Sequence, residues 1–210
     1  EPAPEGTTSP PPKAPRRVPV DFPGAALNPL SVRAFNEVYY RRVPAAGRQR
    51  RLPYGRFLYP LDALLDWNRI YGRRGFYQFQ CVLPDAEASM GLRSLLEAVS
   101  AARGASFLAV LKTLGGEGRG YLSFPKRGYT LALDFPRRPG VEELMGRLER
   151  LTLDHGGRIY LAKDACLSAS GFAAMYPKLA DFRDVLREID PQRRLVSDMA
   201  RRLCIRGDGT

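Results

Sequence analysis

Residues 76–83 read Phe-Tyr-Gln-Phe-Gln-Cys-Val-Leu, an aromatic and β-branched run closed by Pro84 and Asp85. That composition suits a strand. A period of two puts Phe76, Gln78, Gln80 and Val82 on one face and Tyr77, Phe79, Cys81 and Leu83 on the other. Just downstream, Leu92, Leu95, Leu96 and Val99 recur at i, i+3, i+4 and i+7, which predicts an amphipathic helix ending at Gly104.

Working outward, Ser106 to Leu111 predicts a second strand. A glycine-rich connection through Gly115, Gly116, Gly118 and Gly120 leads to a third, Tyr129 to Phe135, with Tyr129, Leu131, Leu133 and Phe135 on one face. Val141, Leu144, Met145, Leu148 and Leu151 mark a second helix, stopped by Gly156-Gly157, and Arg158 to Leu161 predicts a fourth strand. The order β-α-β-β-α-β over residues 75–161 places the chain in the α+β class, as a ferredoxin-like plait. Its flanks are simpler. Residues 1–17 are Pro-rich without apolar periodicity and read as a disordered linker. A short helix is expected from Ser31 to Tyr40 and another from Pro60 to Tyr71, where Leu61, Leu64, Leu65 and Trp67 keep a helical spacing and Gly72 stops it. After Lys163 the pattern is helical, with Leu179, Phe182, Val185, Leu186 and Ile189 on one helix and a last turn or two between Leu195 and Leu203.

Three distant cysteines, Cys81, Cys166 and Cys204, and a single histidine, His155, make neither a disulfide framework nor a zinc spacing, so no metal site is expected. No apolar run reaches the length of a membrane span and no leader is visible, which fits a cytoplasmic or peripheral membrane protein; a chain opening on Glu1 leaves the parent's targeting open. The net charge of +11 admits nucleic acid, an anionic lipid surface or a phosphorylated substrate, although the arginines are spread along the chain. They are densest from Arg41 through Arg42, Arg48, Arg50 and Arg51 to Arg56, in a segment with Pro44, Gly47 and Pro53. This basic loop over residues 41–56 is either simply solvated or attracts anionic headgroups. Phe76, Tyr77 and Phe79 offer a stacking row for RNA, but the signature of RNA-recognition plaits is not met and only Arg73 and Arg74 adjoin them, which argues against nucleic acid.

A plait says little about activity, so chemistry must come from particular residues. Gln78 and Gln80 side by side on a strand need partners for two amides; they suit a polyhydroxyl ligand or a plain polar sheet face. Lys112 stands where periodicity would put an apolar residue, either as a strand-end lysine reaching solvent or as part of a site. Tyr160 and Lys163 point to opposite faces of a continuous strand and converge only if the chain turns at Ala162. A lysine beside a tyrosine there could assist removal of a hydroxyl proton. Gly115 to Gly120 precedes a strand rather than a helix, so it lacks the context of a dinucleotide loop.

The strings Phe57-Leu58-Tyr59-Pro60-Leu61-Asp62, Asp66-Trp67-Asn68-Arg69, Gly75-Phe76-Tyr77-Gln78-Phe79-Gln80, Leu122-Ser123-Phe124-Pro125, Asp134-Phe135-Pro136, Gly156-Gly157-Arg158-Ile159-Tyr160 and Ala162-Lys163-Asp164 carry a family likeness, as do Ala174-Met175-Tyr176-Pro177 and Ser197-Asp198-Met199-Ala200-Arg201-Arg202-Leu203. In collinear order from Val18 to Leu203, the sequence resembles the carboxy-terminal part of FAD-linked oxidases of the vanillyl-alcohol-oxidase superfamily. Within it the likeness is to the oxidase subunit of the decaprenylphosphoryl-ribose epimerase and to the aldonolactone oxidases. The resemblance implies a substrate-binding cap over residues 18–162 and a helical segment, 163–210, packing on a flavin domain not seen in this sequence, in the parent protein or on another chain. It implies FAD as cofactor and oxidation of a hydroxyl on a sugar, a sugar lactone or a polyprenyl-phosphate-linked sugar, with little activity expected without the flavin domain. By the same likeness Gln78, Gln80 and Lys112 line the sugar pocket, Tyr160 and Lys163 are catalytic, and Lys163 also meets the flavin. Leu58, Thr130 and Ala132 depart from the epimerase subunit, which has Tyr, Asn and Cys there; this weakens the claim to the same substrate and leaves flavin-linked oxidation standing. The competing expectation is a non-catalytic basic module for nucleic acid or anionic lipid.

Overall fold

Alternation in the sequence is realised as a four-stranded antiparallel sheet. In the computed structural model, which describes residues 14–23, 27–44, 47, 54, 58, 63–103 and 108–207, the chain divides into two compact units, Glu1–Gly75 and Phe76–Thr210.

In the first unit, β1 (Arg16–Arg17) pairs in parallel with β2 (Leu64–Leu65), and the Val18 N–H continues the ladder onto the Leu65 carbonyl at 3.0 Å. The stretch expected to be a linker therefore becomes ordered at its end, because Arg16 and Arg17 find backbone partners some fifty residues away. Helix α1 (Pro29–Arg41) is capped by Asn28, whose side chain accepts from the Leu30 and Ser31 N–H groups while Ser31 returns a bond to the Asn28 N–H. The helix expected from Pro60 to Tyr71 does not form over the described residues 63–71. Asp66 takes a left-handed conformation (φ 54°) between β2 and a 3₁₀ turn over Trp67–Tyr71, so the leucine spacing is spent on a strand pairing instead. Most of the basic loop (residues 45–46, 48–53 and 55–56) lies outside the described residues.

The second unit runs β3 (Phe76–Pro84), α2 (Ala88–Ala101), β4 (Ala109–Leu114), β5 (Gly128–Pro136), α3 (Val141–Asp154) and β6 (Arg158–Ile159), with sheet order β4-β5-β3-β6. The chain then passes through a 3₁₀ turn, Leu161–Lys163, into α4 (Ala169–Met175), α5 (Leu179–Ile189) and α6 (Asp198–Arg202). This is the expected α+β plait with a helical extension. Two edges differ. The second strand, Ala109–Leu114, runs three residues past the expected end at Leu111, because its register is set by β5, with Leu114 opposite Gly128; Ser106 and Phe107 of the expected span lie outside the described residues. The fourth strand is two residues long, and its ladder ends with the Tyr160 N–H donating to the Gln80 carbonyl at 2.8 Å.

The core lies between the sheet and its helices. Phe79, Cys81 and Leu83 from β3 and Leu131, Leu133 and Phe135 from β5 pack beneath Leu95, Ala98 and Val99 of α2 and Val141, Leu144, Met145 and Leu148 of α3. Phe172, Met175 and Tyr176 and the late residues Leu203 and Ile205 extend the same cluster, which draws the helical extension onto the plait. Gly128 opens β5 hard against β3, where a Cβ would sit 1.9 Å from the Leu83 carbonyl oxygen; no other residue fits. Burial pushes the Cys81 thiol up to about 12, so it is an inert apolar filler. Among the described residues no helix is long and apolar enough to cross a membrane.

Candidate functional site

The sheet face turned away from α2 and α3 carries the polar residues. Antiparallel partners point to the same side, and the register sets Gln78 opposite Asp134, Gln80 opposite Ala132, Val82 opposite Thr130 and Lys112 opposite Thr130. Gln78, Gln80 and Lys112 therefore share one face. Each amide is anchored. Gln78 Nε2 donates to Asp134 Oδ1 at 3.1 Å and Gln80 Nε2 donates to Thr130 Oγ1 at 3.0 Å. Asp134 and Thr130 are buried, whereas both glutamines are half-buried. An amide held by one donor in this way keeps its carbonyl oxygen and its second N–H for something else. Lys112 is exposed in the middle of β4, not at a strand end.

Arg158 on β6 pairs with Val82 and so begins on the same face. The side chain is buried against water, with Nη1 donating to the Ser123 carbonyl at 2.6 Å and Nη2 to Glu117 Oε1 at 2.9 Å, while its guanidinium lies 5.3 Å from the Tyr176 ring centroid. The two hydrogen bonds thus fasten the glycine-rich connection, residues 115–127, to the edge of the sheet, and the cation–π contact ties Arg158 to Tyr176. Phe124, from the same connection, is buried with its ring 4.5 Å from that of Tyr160. The connection leads into β5 and opens no helix, as its sequence context implies. Burial pushes the Tyr176 phenol well above its ordinary range, keeping it protonated as donor to the Ile159 carbonyl at 2.6 Å.

Tyr160 lies next to Gln80 along the ladder, and the chain does turn at Ala162: the Lys163 N–H donates back to the Tyr160 carbonyl at 3.1 Å. Lys163 is half-buried and, among the described residues, its amine makes no hydrogen bond or ion pair. Asp164 fixes the turn that carries it. One carboxylate oxygen accepts from the Cys166 and Leu167 N–H groups at 2.9 and 2.7 Å, and the other from Arg202 of α6 at 2.6 Å. Gln78, Gln80 and Lys112 are thus brought to one face with Tyr160 at its edge, and Lys163 sits one turn beyond.

Sequence reasoning did not single out Arg158, Thr130 and Asp134 as parts of this face. Alternation alone would have assigned them to it, since they stand at even positions opposite Val82 and Gln78. The partners that stabilise Arg158 come from 35 to 41 residues upstream, and no local pattern announces them.

Comparison with known proteins bears on this region directly. Residues 129–203, from β5 through α6, match the family model of D-arabinono-1,4-lactone oxidase. Over 182 residues, 87% of this chain and 39% of the relative, the sequence is 37% identical to the decaprenylphosphoryl-β-D-ribose oxidase of Mycolicibacterium smegmatis. It is 32% identical over 197 residues, 93% of this chain and 52% of the relative, to a Streptomyces coelicolor protein described as an uncharacterized protein in the mprA 5′ region. The chain spans about two-fifths of the length of the first relative and about half that of the second.

Proposed function

From the similarity of this chain to the carboxy-terminal part of an FAD-linked oxidase, we propose that it forms the substrate-holding wall of an oxidoreductase acting on a hydroxyl of a sugar, a sugar lactone or a polyprenyl-phosphate-linked sugar. The observation that carries this reading is the anchored pair Gln78–Asp134 and Gln80–Thr130 on a face shared with Lys112. With one N–H committed, each amide offers its carbonyl to a sugar hydroxyl and its second N–H to a sugar oxygen. Lys112 adds a cationic donor across the sheet, and the Phe124–Tyr160 ring pair gives the face an apolar edge.

The residues present suit a flavin at the edge of this face, because the Lys163 amine is half-buried and unpartnered among the described residues, and so is available to an electron-rich ring edge. Bound FAD supplies the hydride acceptor. The chain's own part is to orient the reacting hydroxyl between Tyr160 and Lys163 and to stabilise the charge that develops on its oxygen, with Asp164 and Arg202 holding the turn in place. Thr130, bonded to Gln80, and Ala132, opposite it, depart from the residues expected from the epimerase subunit, which weakens the case for that subunit's own sugar.

Two measurements test this. Titration with D-arabinono-1,4-lactone and related lactones should shift the side-chain amide resonances of Gln78 and Gln80; resonances that stay still at saturating lactone reject the wall. In the enzyme assembled with its flavin-binding domain, Lys163→Ala should depress kcat by about 10² or more with a small change in KM. An unchanged kcat removes Lys163 from the chemistry.

A further inference from the structure

Between α5 and the segment that follows α6 lies an open cleft of about 220 Å³ whose wall includes Arg183, Arg187, Arg193 and Arg206, with Asp190 as its one acidic residue. Two of the cations are held rigidly by backbone carbonyls. Arg183 donates from Nε to the Ile205 carbonyl at 2.9 Å and from Nη2 to the Cys204 carbonyl at 2.8 Å. Arg206 donates to the Leu195 carbonyl at 3.0 Å and to the Asp190 carboxylate. Asp190 is fully engaged, accepting also from the Arg194 and Leu195 N–H groups at 2.9 and 2.8 Å. The Leu195 N–H first, then that of Arg194 and the Arg206 guanidinium, hold its carboxyl below the usual carboxylate range, so it stays ionised and neutralises one arginine only. Arg183 has no carboxylate partner among the described residues; Arg187 and Arg193 are exposed at the rim, Arg187 ion-paired with Asp184 on the same helix and Arg193 engaged as well.

A half-buried guanidinium fixed by neutral carbonyls keeps its full charge, and its remaining N–H groups are already oriented. From this geometry we propose that the cleft is a binding site for a phosphate group, with Arg183 as its fixed floor and Arg187 and Arg193 as closing arms. The site uses none of the residues of the sheet face, so it goes beyond the oxidase reading and stands or falls independently of it. The phosphate could be carried by a soluble ester or by a lipid headgroup, and the chemistry of recognition is the same.

Titrating the 210-residue chain with inorganic phosphate, followed by calorimetry, should give saturable binding near one-to-one. Arg187→Gln and Arg193→Asn, both exposed and remote from the core, should each weaken it by about tenfold. Asn tolerates the left-handed backbone at position 193 (φ 54°). Arg147→Gln, an exposed arginine on α3, should leave it unchanged. In a second arm, phosphatidylcholine vesicles doped with a dialkyl phosphate are sedimented with the chain. Co-sedimentation lost in the two rim variants assigns the phosphate to a lipid, and phosphate binding without co-sedimentation assigns it to a soluble ester. Absence of saturable phosphate binding, or an equal loss in Arg147→Gln, overturns the site.

Discussion

On β3 and β5, neighbouring residues meet opposite environments. Phe79, Cys81, Leu83, Leu131, Leu133 and Phe135 are sealed under two helices, while Gln78, Gln80, Thr130, Ala132 and Asp134 look the other way and form a polar face. The first face answers to volume, since any methylene removed leaves a gap. The second answers to partners, since each buried polar atom must be matched. Thr130 and Asp134 are as buried as the core leucines, and what distinguishes them is that each accepts a side-chain amide. The same strands therefore carry stability on one side and recognition on the other, and the two should respond separately to substitution.

The sharpest way to break that division is on the helix side. Leu148 of α3 is fully buried in the core, and Leu148→Ala should lower the unfolding free energy by about 2–5 kcal/mol in a urea titration. A loss no larger than that of the polar-face variants below would mean the two faces do not divide the work.

Arg158 tests the seam between them. Arg158→Met keeps an apolar side chain but abandons the Ser123 carbonyl, Glu117 and the cation–π contact with Tyr176, and should cost about 1–3 kcal/mol. Glu117 is partly exposed and can return to water, which keeps the cost below that of a fully buried orphan charge. The same substitution frees the connection over residues 115–127, so it should also accelerate hydrogen exchange there more than in α2 or α3. Uniform acceleration would show that Arg158 is merely part of the core.

Which of these residues a sequence can announce depends on how far away their partners lie. The strand and helix order was legible because periods of two and 3.6 are local, and the face shared by Gln78, Gln80, Thr130 and Asp134 follows from alternation once β3 and β5 are paired. The segment around Asp66 was misread because its leucines suit a helix equally well; what decides it is pairing with Arg16 and Arg17, which no local window contains. The end of β4 was placed too early for the same reason, its register being set by Gly128 and the residues after it. The arginines that line the cleft beside α5 looked evenly scattered in the sequence, and only the return of Cys204 and Ile205 onto Arg183 gathers them.

Cys81 sharpens the comparison through pH. Burial raises its thiol from 9.0 to about 12 in the folded chain, so the unfolded chain loses its proton first. Stability is intact below pH 9 and falls as pH rises towards 12, at about 1 kcal/mol per pH unit across that window. Tyrosines and lysines titrate nearby, so the measurement is a difference: the alkaline slope of the parent should exceed that of Cys81→Ala. Parallel slopes would place the thiol in contact with water and the helix face would no longer be dry.

The smallest expected effect is on the polar face, and its smallness is the point. Gln80→Leu removes a half-buried amide and leaves the buried Thr130 hydroxyl without that donor, so the cost in stability should be about 1–2 kcal/mol, below that of Leu148→Ala. Binding of a lactone should fall by about tenfold or more, because the leucine offers neither the carbonyl nor the N–H that a sugar hydroxyl requires. Gln80→Glu separates the two requirements: it keeps an acceptor and loses the donor to Thr130, so partial binding is expected where leucine gives none. A Gln80→Leu chain that unfolds as readily as Leu148→Ala would make Gln80 a structural residue, and the chemistry would then have to be sought on Lys112, Tyr160 and Lys163 alone.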